Sequence, residues 1–528
     1  MQAIQDSDYP FTVDERPNVA GAPYLPPHSP GRRIRYVMVA ILMSLAGIFG
    51  NSLVTGNLPQ IAGGYFSYSA ELIWLTGAYV GVGASANIFM IKGRQQFGLP
   101  VMLFGSLVVY ATAAAADAAF GNLYTAVLAR AANGLSTSTG VAASVYYLMS
   151  ALPKTKRLLA IATPIACIQL AQPLARLVPV DFLTADGNRN LHLVTLLVPL
   201  LQIVLLALNP LPRTYTIKVF ERVDLLTGIL VVSGFTMLAC ALASGETYWW
   251  TEAPFLGELL IGSAITLGLA VMIEVRRERP EINVRWLTRR RLVAFMSIAL
   301  VERIALGVQT SSIPGLLTLR SLNNDQYHLL FGMVVLCMIA GILIMLATLG
   351  PKALLFQMVT ALGCIALGAL MACSVNSLSI PNDLIVSQCL IGFGATLFVG
   401  PALAYTLSQM FQNGGTQVLV PTVLVFAAVQ NFGSAAGAAL LSSVQYASQQ
   451  YAISGYAERF SATSPMIARW SSDLSELSST ASQQAAVIGY LNSFRVVVVI
   501  ALAAMAVLLV TALFSLYTNR TEAQGKQN

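Results

Sequence analysis

Glu302 and Arg303 stand side by side in an apolar run from Leu292 to Pro314, with SIALV before them and IALGV after. Ten residues of helix separate Leu292 from Glu302, about 15 Å at the helical rise and half the thickness of a hydrocarbon core. A carboxylate at that depth is costly to hold and marks ion or substrate handling by default. Adjacent helical residues point about 100° apart, so these two side chains satisfy each other poorly. Each calls for a partner on another helix or for a water-filled cavity. Most of the 23 acidic residues fall in tails, loops or helix ends. Asp224 and Glu274 lie at inner ends, Glu258 at an outer end, and Asp117 near an outer end where a carboxylate can snorkel. Glu302 is the one carboxylate this reading places near mid-membrane, and the best carrier if protons drive transport. Desolvation raises a carboxyl pKa and a nearby arginine lowers it, and that opposition lets a site load on one side and release on the other. The competing reading is a buried Glu–Arg pair that locks two helices.

Other polar residues lie inside apolar runs. Arg130 is suited to holding a water, a carboxylate or an anionic substrate. Asn51, Gln169, Gln172, Gln309, Gln388, Gln430 and Asn431 either line a polar path or join helices by hydrogen bonds. Tyr79, Tyr146, Tyr147, Tyr405 and Phe426 either shape an apolar pocket or simply pack. Arg176 and Arg495 lie near outer ends and read as interface anchors. The three histidines, His28, His192 and His328, are scattered, and no HExxH, CxxC or GxxxxGK[ST] occurs. No metal, no cofactor and no enzymatic chemistry is expected, and energy must come from an ion gradient or from the substrate's own gradient.

Helices that cross a membrane must position these groups. The chain has 528 residues, 56% of them hydrophobic and 10% charged, with a mean hydropathy of +0.70. Repeated apolar runs of about 20 residues imply an all-α integral membrane protein. Fourteen spans are read, at 36–57, 71–92, 99–120, 123–149, 158–180, 191–211, 222–244, 254–275, 292–314, 327–349, 353–373, 383–411, 418–446 and 489–517. With the N-terminus inside, 22 of the 30 Lys and Arg residues fall on the inner side, four on the outer side and four within spans. That asymmetry fits an even number of spans with both termini inside, and it accounts for the net charge of +7 without nucleic acid. All six cysteines fall in apolar runs and read as small core residues. Residues 1–35 are polar and proline-containing, a disordered tail without a signal-peptide pattern. Residues 276–291 form a basic inner linker, and 447–488 an outer loop, either a solvated connection or a docking surface for a periplasmic partner.

ArgAlaAlaAsnGly at 130–134 resembles the RxxQG signature of the major facilitator superfamily. Pro59 after span one, with Trp74 and Tyr79 opening span two, resembles the fourteen-span drug:proton antiporter branch, the EmrB/QacA type. So do GlnAsnPheGlySerAlaAlaGly at 430–437, TyrLeuAsnSerPheArg at 490–495, and the long outer loop before the last helix. The resemblance runs from about residue 36 to the end of the spans. It implies two six-helix halves, 36–211 and 292–517, with two inserted helices and the basic linker between them over 212–291, and a cytoplasmic tail at 518–528. Spans one, four, nine and twelve would line a cavity, and rocking of the halves would give alternating access. On this resemblance Glu302 and Arg130 are the proton-coupling residues. Asn51, Arg303, Gln309 and Tyr405 face substrate. Gly98, Gly134, Pro173, Gly433 and Gly437 serve gating and helix packing. Three stretches depart from the branch pattern. Span one has Gly50 or Asn51 where an acid is usual. The loop between spans two and three reads IleLysGlyArgGlnGlnPheGlyLeuPro at 91–100, with Gln95 and Gln96 in place of an acid and an arginine. Span five reads GlnProLeuAlaArgLeu at 172–177, without the usual glycine pair. These losses put the usual gating salt bridge in question.

The resemblance implies a bacterial inner-membrane exporter of amphipathic small molecules, driven by protons. A periplasmic adaptor and an outer-membrane channel are the implied partners beside the lipid bilayer. The missing span-one acid, with Arg130 and Arg303 against one Glu302, favours neutral or anionic amphiphiles. Two alternatives stand beside it: a dedicated metabolite or siderophore exporter, and a non-transporting membrane sensor or scaffold.

Overall fold

The computed structural model describes residues 22–525 apart from 213, 246, 279, 281–283, 351–352, 415–418 and 460–473. The N-terminal tail up to residue 21, part of the basic linker, and Arg469, Trp470 and Asp473 of the outer loop lie outside the described residues. The long helices are α1 Pro30–Thr55, α2 Ile73–Phe97, α3 Leu99–Phe120, α4 Leu123–Ala151, α5 Arg157–Cys167, α6 Val180–Leu208 and α7 Arg222–Ser244. They continue as α8 Pro254–Arg276, α9 Arg290–Gly307, α10 His328–Thr348, α11 Leu354–Ala372, α12 Ile385–Gly414, α13 Leu419–Arg459 and α14 Leu474–Gly525. Twelve stretches of the described residues are long and apolar enough to cross a membrane, so this is a multi-pass membrane protein. Of the fourteen expected spans, the fourth and ninth are helical but fall outside those twelve. They are α4, which buries Arg130, Asn133 and a Ser/Thr run, and α9, which carries Arg290, Arg291, Glu302 and Arg303.

Local sequence fixes the ends and bends. Proline without an N–H opens α1, α3 and α8, where that donor has no helical partner anyway. Asn122 caps α4 by accepting from the Thr125 backbone N–H at 3.0 Å. Span five is not one straight helix. It tightens into a 3₁₀ turn at Ile168–Leu170 before a short helix at Ala171–Ala175, because Pro173 has no N–H to give to Gln169. α6 is broken at 185–188, where Asp186, Gly187 and Asn188 take positive φ. α9 runs into a π-helical turn at Val308–Ser312, just ahead of Pro314. The expected loop at 447–488 is helical on both flanks, to Arg459 and from Leu474. No proline interrupts residues 446–459, so α13 continues past its apolar part.

Packing divides the chain into two units. One holds the described residues up to Leu300 with Val399–Ala435, and the other Val301–Phe398 with Ala436 onward. In the first unit α2 is sandwiched between α4 and α7 along small residues. A Cβ on Gly134 would lie 2.5 Å from the Tyr79 carbonyl oxygen, one on Gly77 would run into Cys240, and one on Gly81 into Thr236. α3 meets α4 through Ser106 and Thr139, whose hydroxyls are 2.6 Å apart. In the second unit α12 lies against α11, where Ser387 donates to the Gly368 carbonyl at 2.8 Å. There α13 crosses α9 at Gly437, whose Cβ would lie 2.8 Å from Ile304 Cα.

Candidate functional site

In the first unit α4 is a polar helix inside an apolar bundle. Most of its hydroxyls turn back onto their own helix, as Ser144 does on the Gly140 carbonyl at 2.8 Å, which hides them from hydrocarbon. Arg130 instead reaches α1 and donates to the Gly50 carbonyl at 3.1 Å. It is 2% exposed. Beside it the half-buried Asn51 accepts at its backbone oxygen from Thr55 Oγ1 at 3.1 Å. One turn on, Gly134 admits α2, so the 130–134 motif ties α4 to two helices at once. Gly433 is buried and Tyr405 half-buried in this unit, and Pro173 is buried where span five bends. An apolar cleft of about 780 Å³ opens between α1, α6 and the end of span five, with Leu42, Phe49, Leu174, Val194 and Leu201 on its walls.

In the second unit Glu302 is fully buried and Arg303 half-buried on α9. Gln309, in the π turn, is buried and donates to the Gln388 carbonyl at 3.3 Å. A Cβ on Gly437 would also lie 3.2 Å from the Arg303 carbonyl oxygen. The structure thus brings Arg303 to Gly437 and Arg130 to the backbone beside Asn51. Glu302 and Arg130 belong to different units.

Two groupings escaped the sequence reading. The first is at the inner end of α2. Lys92 pairs with Asp224 of α7 at 2.8 Å. Arg277, just past α8, pairs with Asp224, Glu221 and Glu274 at 2.7 Å each. Burial pulls the Arg277 guanidinium down, but hydrogen bonds to the three carboxylates outweigh it and hold its pKa above the ordinary value. Gln95 and Gln96 serve the same junction. The Gln95 carbonyl accepts from Ile217 N, and Gln96 Oε1 accepts from Val219 N, both at 2.9 Å. Arg94 is buried and donates to Tyr146 Oη at 2.9 Å. Gly98, at φ +80°, ends α2 against Thr214. The glutamines thus pin the linker before α7, and the ion pairs run to α7 and α8. The sequence signal was acids and bases at helix ends on one side, which topology alone does not pair.

The second grouping is around Asp117, expected to snorkel but 1% exposed. His192 Nδ1 is 3.1 Å from its Oδ2. Tyr65 Oη donates to the same oxygen at 3.4 Å, and Thr125 Oγ1 to Oδ1 at 3.3 Å. Burial first, and the Asp117 charge second, push the Tyr65 phenol well above its ordinary pKa, so it stays a donor. Kinked α6, the α3–α4 turn and the α1–α2 connection together enclose a carboxylate that one sequence window cannot reveal.

Helices long and apolar enough to cross a membrane thus bury arginine, glutamate and aspartate side chains. The human organic anion transporter MFSD10 is similar over 89% of this chain and 99% of its own, at 14% identity and a TM-score of 0.51. A bacterial homologue of the human drug peptide transporters PepT1 and PepT2 is similar over 92% and 99%, at 10% identity and 0.57. An auto-inhibited POT family peptide transporter is similar over 90% and 96%, at 12% identity and 0.54. No protein-family model and no curated protein matches the sequence. At such identities the likeness is one of fold alone: the chain shares its fold with these three transporters.

Proposed function

We propose that this chain is a secondary active transporter of the fourteen-span drug:proton antiporter type, exporting amphipathic small molecules from the bacterial inner membrane by alternating access. The observation that carries this reading is Glu302, fully buried beside Arg303 in a mainly apolar stretch of helix. A carboxylate buried there is costly to hold and is a candidate proton carrier by default. In this reading α4 and α9 count as spans four and nine, and the chain forms two six-helix halves with α7 and α8 inserted. Arg130 works with Glu302 in coupling, and Asn51, Arg303, Gln309 and Tyr405 meet substrate. Gly98, Gly134, Pro173, Gly433 and Gly437 keep helices close enough to rock. Both termini face the cytoplasm, and a periplasmic adaptor and outer-membrane channel complete the route.

Arg130 and Arg303, set against one mid-membrane acid, favour neutral or anionic amphiphiles, and the apolar cleft beside α1 suits a lipophilic tail. Proteoliposomes with imposed proton and sodium gradients test the reading. Glu302→Gln is expected to abolish proton-driven efflux and to preserve substrate binding. Efflux by that variant equal to wild type across the pH range would reduce Glu302 to a structural group.

A further inference from the structure

We propose that Asp117 and His192 form a second proton-binding site, one that loads at the ring nitrogen His192 turns toward the α3–α4 turn. Asp117 lies one turn from the end of α3 and is buried, as is His192. Its partners are two hydroxyls and one imidazole, and among the described residues no lysine or arginine stands within ion-pair distance of it. An ionised carboxylate buried without a fixed cation is where a proton is the least costly counter-charge.

The geometry sets the proton's address. A carboxylate only accepts, so with Asp117 ionised the hydrogen on His192 sits on Nδ1, pointing at Oδ2. Nε2 is left as the basic nitrogen. It faces Gly121 in the turn between α3 and α4, where a Cβ would lie 3.9 Å from it. Proton uptake at Nε2 converts an imidazole–carboxylate pair into an imidazolium–carboxylate pair. The local charge goes from −1 to zero, and no other bond changes. Histidine is the side chain whose ordinary ionisation falls in the physiological range.

The surrounding elements supply few competitors. Tyr65, from the turn at Ala62–Tyr65, gives its hydroxyl, and α4 gives Thr125. Arg130 lies five positions beyond Thr125 on α4 and donates to the Gly50 carbonyl. Arg176 lies against Gly56, Glu71 accepts from Tyr68 N, and Asp181, Asp186 and Arg189 of α6 face outward. Thr125 and Arg130 both belong to α4, which links this site to the motif helix. That link rests on the proton-coupled reading above, whereas proton binding itself does not.

Only three histidines occur in the chain, so ¹⁵N NMR of ring-labelled histidine in liposomes resolves them. One imidazole signal, missing in His192→Gln, is expected to pass from singly to doubly protonated as the pH is lowered. Asp117→Asn keeps the side chain's size while removing its charge and one of its two acceptor oxygens, and is expected to move that midpoint lower. Tyr65→Phe, which deletes one hydroxyl, is expected to move it higher. A His192 signal that stays neutral throughout, or a midpoint that ignores Asp117→Asn, overturns the proposal. In proteoliposomes His192→Gln is expected to lose pH-gradient-driven transport while keeping substrate counterflow. Wild-type protein that titrates at His192 but shows no gradient-driven transport sinks the coupling reading and leaves the proton site standing.

Discussion

Replacing Gly134 by alanine puts one methyl group into the seam between α4 and α2. Its carbon would lie 2.5 Å from the Tyr79 carbonyl oxygen and 2.9 Å from Gly83 N, where real Cβ contacts essentially never fall below 3.0 Å. The neighbours are backbone atoms and cannot rotate aside, so the helices must part by roughly 0.5 Å or more, an overpacking that costs about 1–3 kcal/mol. Parting also stretches the bond from Ser138 Oγ to the Gly83 carbonyl, now 2.8 Å. Removing a helical glycine returns only about 0.5–1 kcal/mol. Gly105 of α3 isolates that gain, because a Cβ there meets nothing within 4 Å. Gly105→Ala should therefore stabilise and Gly134→Ala destabilise, and because the helical gain is common to both, the gap is the overpacking cost of roughly 1–3 kcal/mol. Thermal unfolding in detergent, followed by a thiol-reactive dye on the six free cysteines, reads the difference because Cys167 and Cys240 are buried until the unit opens. Gly134→Ala melting level with or above Gly105→Ala would refute the close-packing argument.

Arg277→Met should destabilise by about 3–5 kcal/mol, since it strips a shared cation from buried carboxylates. Glu221→Gln, at the rim with its side chain 45% exposed, should cost under about 1 kcal/mol. Limited proteolysis of the 277–291 linker reports both, and equal effects would dissolve the network reading. Tyr65, with its folded-state pKa raised, contributes stability that is full below its unfolded value of about 10 and is lost as pH climbs toward the folded one. Tyr65→Phe should flatten that alkaline loss in melting curves taken from about pH 9 to 11, and an unchanged slope would count against it. Asn188, at φ +67°, donates to the Ile61 carbonyl at 2.7 Å. Asn188→Ala should cost about 1–3 kcal/mol through that bond and the left-handed backbone, with glycine milder. An alanine variant as stable as wild type would remove the bond's importance.

Helices were legible wherever apolar runs exceeded a bilayer's span, and the residues of α4 and α9 announced themselves by their charge. The bend in span five was foreshadowed by Pro164 and Pro173, though not the tightened turn at Ile168–Leu170, which depends on backbone bonds. Asp117 was misplaced because a residue three positions from a helix end looks wet in sequence. Only the fold reveals that His192, 75 positions away, covers it. Lys92 and Asp224 are 132 positions apart, and nothing local signals their pairing. Gln95 and Gln96 read as losses from a pattern, yet they bind the backbone of 217–220, contacts that no side-chain motif encodes.

The glycine seam of α2 also sets a schedule for synthesis. Ser85 of α2 donates to the Val231 carbonyl at 3.4 Å, across 146 residues of chain. At about 5–20 residues per second, the ribosome needs roughly 7–30 s to make that stretch. For all of that time Gly77 and Gly81 lack Cys240 and Thr236, and the notch they form must be filled by lipid or by the insertion machinery. The helix α7 is thus a late-arriving wall for α2. A nascent chain halted between residues 97 and 222 holds α2 with one flank bare, which makes that window the vulnerable interval of its biogenesis.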